Sequence, residues 1–217
     1  MKIQWLGHSA FRLTDSTGAS IITDPFDRSV GYDMPCLCAD AIASSHGHGD
    51  HNFFQGVKGN PVIIDRAGSF NVGGISVRSF LSDHDPVGGK LRGKNLIFNF
   101  RLDGVSVCHM GDIGEACTRE IIEPLIPVNI LLIPVGGTYT IDAGEAKEYV
   151  DRMKPDVVIP MHYKTEHTAY PIDKVDAFLR LFDSDAIAEE DTDTLEFNAS
   201  DFNGKKTKII VPKRYLG

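Results

Sequence analysis

The sequence predicts a single layered α/β domain, and three observations carry that expectation. A chain of 217 residues fits one domain around one core. Its apolar residues fall into many short runs, and helical spacing is confined to a few segments in the second half. Several of those runs stop directly at a histidine or an aspartate, as expected where strands of a layered fold give way to functional loops.

The elements follow in order. Residues 2–6 and 11–14 read as a first hairpin, and 20–23 as a strand ending at Asp24-Pro25. Residues 27–40, rich in Asp, Gly, Pro and Cys, read as a loop. A short strand over 41–45 runs straight into a histidine cluster. Strands over 61–64 and 75–80 flank a turn at Gly73-Gly74, and the second ends near Asp83-His84-Asp85. A glycine-rich loop over 88–93 precedes a hairpin, 95–102 with 105–109, across the strong turn signal Asp103-Gly104. That hairpin delivers Gly111-Asp112.

Helical signals come next. Thr118 is a candidate cap for a helix with Ile121, Ile122, Leu125 and Ile126 on one face. Residues 129–134 suit a buried strand. Asp142 and Glu145 form the pattern of a capping box ahead of Ala146, Tyr149, Val150 and Met153. A second buried strand over 156–160 ends at Met161-His162. Asp173 is a candidate cap for a helix carrying Val175, Phe178, Leu179 and Phe182. The acidic stretch 183–193 reads as a solvated loop, and 195–197 and 208–211 as strands that close the sheet. The whole of 1–217 reads as one domain, with no repeat, linker or low-complexity segment.

Composition narrows the function. Hydrophobic residues make up 42% and charged residues 24%, ordinary for a soluble globular chain. The net charge of −8 argues against non-specific nucleic-acid binding, which needs clustered cations. The one basic cluster, Lys205, Lys206, Lys208, Lys213 and Arg214, reads as a solvated hairpin and tail. No apolar run approaches the roughly 18 residues of a membrane span, and the N-terminus turns polar too quickly for a signal peptide. Cys36, Cys38, Cys108 and Cys117 match no disulfide framework. The expectation is a cytoplasmic protein with reduced thiols, no membrane, no nucleic acid, a small-molecule substrate and room for a homo-oligomer.

The stretch that concentrates chemistry is Ser44-Ser45-His46-Gly47-His48-Gly49-Asp50-His51. Imidazole nitrogens and carboxylate oxygens suit Zn, Mn and Fe. A lone histidine is usually structural, but three histidines and an aspartate within six positions are not. The intervening glycines allow the tight backbone such a cluster needs. Further metal-type residues follow other apolar runs: Asp24, His84, Asp112 and His162. No Ser-His-Asp or Cys-His arrangement competes with them. Gly136-Gly137-Thr138 is no phosphate loop, because no Gly-Lys-Ser/Thr follows.

His46-x-His48-x-Asp50-His51 resembles the signature of the metallo-β-lactamase superfamily, and further landmarks follow in order from Gly7-His8-Ser9 to His162. The small metal-dependent hydrolases related to ascorbate-6-phosphate lactonase are the nearest likeness. The resemblance implies a four-layer αββα sandwich and two divalent cations, zinc first, with manganese or iron as alternatives. It implies that His46, His48 and His84 hold one ion and Asp50, His51 and His162 the other, with Asp112 bridging. His109 competes with His84 for the third first-site position; relatives place that ligand well upstream of the Gly-Asp pair, which favours His84. The implied chemistry is attack by a hydroxide held between the cations on a small ester, lactone or phosphoester. Asp112 and Asp50 are then the catalytic carboxylates, the latter moving a proton. Asp24 resembles an aspartate that braces the histidine loop, although an aspartate before Pro25 is also an ordinary turn cap. His8 is expected at the pocket edge, with an ordinary core or surface histidine as the alternative, and His109 behind the site if it is not a ligand. Tyr163 and Lys164 are expected to face the substrate or to be plain loop residues, and His167 to lie on the surface. Rival readings are a cyclic or nuclease-like phosphodiesterase, a diiron redox protein, and a metal-binding protein without turnover.

Overall fold

Alternation of apolar and polar side chains along extended backbone dictates two faces per strand, and here both faces are used. The computed structural model describes every residue except Asn203 and Lys205, so the expectation for Lys205 lies outside the described residues. The strands are Lys2–Gly7 (β1), Ala10–Thr14 (β2), Ser20–Thr23 (β3), Leu37–Cys38 (β4), Ala41–Ala43 (β5), Val57–Lys58 (β6), Val62–Ile64 (β7) and Gly68–Val72 (β8). They continue with Ile75–Asp83 (β9), Lys94–Leu102 (β10), Val105–His109 (β11), Ile130–Pro134 (β12), Val157–Met161 (β13), Ile187–Glu190 (β14), Thr194–Glu196 (β15) and Lys208–Pro212 (β16). The helices are Arg119–Ile122 (α1), Ala143–Met153 (α2) and Asp176–Leu179 (α3).

One sheet has the order β15-β1-β2-β3-β5-β7, the other β14-β16-β13-β12-β11-β10-β9-β8, and β4 pairs with β6 apart from both. In the smaller sheet Ile3, Trp5, Phe11, Leu13, Ile21, Ala41 and Ala43 face the larger sheet's Leu96, Phe98, Phe100 and Val107 across the main core. Their neighbours Leu6, Ala10, Ile22 and Ile42 point the other way, into a second apolar cluster closed by Phe26, Val30 and Val57. The αββα sandwich is therefore present. Its layer over the smaller sheet is made of 3-10 turns at Arg28–Val30 and Phe54–Gly56 and the loops around them. On the larger sheet, α2 lies against β12 and packs with α3.

Strand direction brings the metal-type residues together. β1 and β3 flank the antiparallel β2 and so run the same way, and β5 is parallel to β3. His8, Asp24 and His46 therefore leave one edge. In the larger sheet β9 and β11 flank the antiparallel β10, while β12 and β13 continue parallel to β11. His84, Asp112 and His162 follow β9, β11 and β13 at a common edge. The two edges are joined by backbone hydrogen bonds from Leu96 N–H to the Ser45 carbonyl, 2.8 Å, and from His162 N–H to the His8 carbonyl, 3.2 Å.

Several expectations are corrected. Gly73-Gly74 connects β8 to β9, and β8, absent from the sequence reading, is a partly exposed edge strand with a weak apolar pattern. The helix expected to reach Ile126 stops at Ile122; Pro124 supplies no N–H to continue it, and Ile126 is exposed. The helix expected from Asp173 begins at Asp176 and ends at Leu179, because Asp173 N–H is engaged by the Gly136 carbonyl. Part of the acidic stretch is β14, paired with β16. The two last expected strands join different sheets, β15 beside β1 and β16 beside β13. The capping box of α2 forms as read, with Asp142 and Glu145 each bonding the other's backbone N–H at 2.9 Å.

The loop from β9 to β10 has a carboxylate at its centre. Asp85 accepts hydrogen bonds from the N–H groups of Val87, Gly89, Leu91 and Arg92, at 2.8–3.0 Å. Although burial raises its pKa, these four donors outweigh it and bring the value from 3.8 to about 2. A depressed folded pKa means that the bonds stabilise the fold above the unfolded value and are lost as pH falls toward the folded one. Asp85→Asn is expected to lower the urea midpoint at pH 7, and the gap from the wild type should narrow from about pH 4 downward. Phe98, fully buried and stacked on Phe100 at 5.8 Å, is the corresponding test of the main core. Phe98→Ala should cost about 3–5 kcal/mol in the same unfolding experiment.

Candidate metal centre

The loop 44–51 is tied down before any ligand is needed. The Ser44 hydroxyl donates to the carbonyls of His46 and His51, at 3.1 and 3.0 Å. Asp24, fully buried, accepts from the Ser45 N–H and hydroxyl, both at 2.7 Å, and contacts His51 Nδ1 at 2.9 Å. The Ser45 hydroxyl also lies 2.9 Å from His46 Nδ1. One carboxylate thus orients two imidazoles, directly for His51 and through Ser45 for His46, and turns both Nε2 atoms inward.

Asp112 arrives from the other sheet. Its N–H donates to Asn95 Oδ1 at 2.9 Å, while Asn95 Nδ2 donates to the Met110 carbonyl at 2.9 Å. Gly111, with φ of +57°, makes the turn; a Cβ there would run into Asn95 Oδ1 and Ser45 Cβ. The Asp112 side chain is 3% exposed, and its Oδ2 lies 3.1 Å from His51 Nε2, 3.3 Å from His162 Nε2 and 3.5 Å from His84 Nε2.

Around that carboxylate the donor atoms fall into overlapping groups, each within 4.8 Å: His46, His48 and His84; His8, Asp50, His51 and His162; and His46, His51 and Asp112. The Nε2 atoms of His46 and His51 and Asp112 Oδ1 are buried without a hydrogen-bond partner. Orphaned buried polar atoms are costly. Lone pairs from imidazole and carboxylate converging on one space are the donor set of a Zn, Mn or Fe site. The residues present fit such cations.

The electrostatics show how strongly the groups feel one another. Burial drives His46 down to about 3 and His8 to about 4, with neighbouring imidazoles adding to the fall, so both rings are neutral at pH 7. Burial also pulls on His51, but the flanking Asp112 and Asp24 win and hold it well above the usual imidazole range. Asp112 resists its burial through His162 and His51 and stays ionised far below the usual carboxylate range.

His109 is fully buried; its Nε2 lies 2.8 Å from the Ser9 carbonyl, and its Nδ1 accepts from Gly111 N–H at 3.1 Å. Both nitrogens are engaged with backbone, whereas His84 Nε2 faces Asp112. His8 is 1% exposed, its ring 4.2 Å from that of His162 and its Nε2 3.4 Å from Asp50 Oδ2. Tyr163 is buried and stacks on Trp5 at 5.3 Å, and Lys164 Nζ donates to the carbonyls of Thr168 and Tyr170. His167 is exposed. His8, Asp24 and His162 all adopt left-handed backbone, φ +40° to +51°, a strain that side chains of this size tolerate only where the surroundings enforce it.

A cavity of about 330 Å³ opens above the cup, lined by His48, Asp50, His84, Asp112 and His162 together with Arg92, Tyr139 and Tyr170. Sequence reasoning missed those last three, and also Ser45 and Asn95. Ser45 sat inside the cluster and was open to notice; the others have no local signal, since chain remote in sequence places them.

Comparison with known proteins identifies the family and the fold. Residues 2–162 match the family model for the beta-lactamase superfamily domain. A relative from Carboxydothermus hydrogenoformans, named a metal-dependent hydrolase, is 32% identical over 76% of this chain and 85% of its own length. A Thermotoga maritima structure, described as a proposed Zn-dependent hydrolase of the metallo-beta-lactamase superfamily, superposes with a TM-score of 0.79 at 40% identity, covering 97% of each chain. An isothiocyanate hydrolase from Delia radicum gut bacteria shares the fold alone, with a TM-score of 0.68 at 15% identity over 98% of this chain and 96% of that one. By these matches and the donor cup it carries, the chain belongs to the metallo-β-lactamase superfamily.

Proposed function

We propose that the chain is a dinuclear metal-dependent hydrolase acting on a small ester, lactone or phosphoester. The observation that carries this reading is Asp112 Oδ2, within 3.1–3.5 Å of imidazole nitrogens drawn from three different loops. In it, His46, His48 and His84 would hold one cation and Asp50, His51 and His162 the other, with Asp112 available to both. Zinc is the first choice, supported by the zinc dependence proposed for the Thermotoga maritima relative; manganese and iron suit the same donors. Bound cations supply Lewis acidity toward a carbonyl or phosphoryl oxygen and acidify water to a pKa of about 7.

The chain's own groups do the rest. Asp24 and Ser45 orient the His51 and His46 rings through their Nδ1 atoms. Asp50, half-buried and beside His8, keeps its carboxylate ionised despite burial, because His8 and His51 stabilise the charge. Its Oδ2 accepts the proton released by attacking water and returns it to the leaving group. The cavity of about 330 Å³ admits a small molecule and is at the lower end of ligand-pocket sizes.

A panel of esters, lactones and phosphodiesters assayed with Zn, Mn and Fe tests the reaction class; silence under every metal favours a metal-binding protein without turnover. Elemental analysis tests the ligands. The wild type is expected to hold about two ions per chain, and His48→Ala or Asp112→Ala at most one, with activity lost alongside. A ratio that remains at two in either variant rejects the assignment. Asp24→Asn probes the brace: cation affinity, read by competition with a chromogenic chelator, should fall about 10–100-fold.

A further inference from the structure

Arg92, Tyr139 and Tyr170 line the cavity without belonging to the donor cup. They come from separate connections, between β9 and β10, between β12 and α2, and after β13. Each is held in place. Arg92 N–H donates to Asp85 Oδ2 at 2.8 Å, inside the loop that this carboxylate organises. The guanidinium lies 5.6 Å from the Tyr139 ring centre, and its Nη2 donates to the Thr138 carbonyl at 3.1 Å. Tyr139 meets Tyr170 edge to face at 6.0 Å. The Tyr170 carbonyl accepts from Lys164 Nζ at 2.8 Å, and its hydroxyl lies 3.1 Å from Ser29 Oγ.

The charge at this rim is left over. A guanidinium carries five N–H donors, and the one hydrogen bond that Arg92 makes through them is to a carbonyl. Among the described residues no carboxylate pairs with it. It is the one cationic side chain of the cavity lining other than histidine. A fixed, half-buried guanidinium stacked on an aromatic face matches carboxylate and phosphate through two parallel donors.

We propose that Arg92 is a specificity-determining residue that binds an oxyanion of the substrate, carboxylate or phosphate, remote from the bond to be cleaved. Tyr139 and Tyr170 flank the part of the substrate that links the two. The proposal rests on the hydrolase reading for the reaction, but the binding event stands apart from it.

The experiment is calorimetric titration of the zinc-loaded protein with phenylacetate, with phenylphosphonate, and with phenylacetamide as the neutral control. At least one anion is expected to bind the wild type more tightly than phenylacetamide. Arg92→Ala should weaken that anion about tenfold or more, as for loss of a charge-assisted pair. Arg92→Lys keeps the charge without the planar fork and should fall between, which also reads the proposal if the alanine variant fails to fold. The preferred anion distinguishes carboxylate from phosphate. Binding of neither anion, or equal binding to the wild type and both variants, overturns the proposal. Turnover separates the two readings. Arg92-dependent binding without hydrolysis of any ester, lactone or phosphoester defeats the hydrolase reading alone. Hydrolysis with anion affinity indifferent to Arg92 defeats this one alone.

Discussion

The structure depends on keeping one carboxylate ionised where almost no water reaches it. Asp112 is shut between two sheets, and only the imidazoles around it, together with Asn95 on its backbone, make that position tenable. A buried charge without partners costs several kcal/mol. The two sheets must therefore meet at this edge in a definite register, because each supplies part of the compensation. The smaller sheet contributes His46, His48, Asp50 and His51 through the loop after β5; the larger contributes His84, Asp112 and His162. Neither sheet assembles the cup alone.

A second tier of residues keeps that meeting from being approximate. Asp24 and Ser45 aim two rings, and Gly111 permits an approach that any side chain would block. His109, although a histidine next to the Gly-Asp pair, spends both nitrogens on the backbone of Ser9 and Gly111. It ties β11 to the β1–β2 turn and works as a strut between the sheets. The backbone bond from His162 to His8 performs a similar task a few ångströms away.

Much of this was visible in the chain, and the parts that were not share a cause. The 46–51 cluster, the Gly111-Asp112 turn and the capping box of α2 are local patterns, and local patterns survive in one dimension. The choice between His84 and His109 was not local: it turns on which nitrogens meet a carbonyl from residue 9. The helices expected after Thr118 and Asp173 showed apolar spacing, but Pro124 and the engagement of Asp173 with Gly136 cut them short. Edge strands β8 and β14 have too few buried positions to announce themselves. Arg92, Tyr139 and Tyr170 become neighbours only after three remote connections are folded onto one mouth.

That division between cup and mouth has an evolutionary consequence. The donor atoms hang from strand ends that the core immobilises, whereas the rim belongs to loops anchored by hydrogen bonds of their own, at Asp85 and Lys164. A loop can be exchanged without disturbing the sheets beneath it. Descendants of one ancestor could thus keep the same hydrolytic engine and diverge in diet, one mouth at a time.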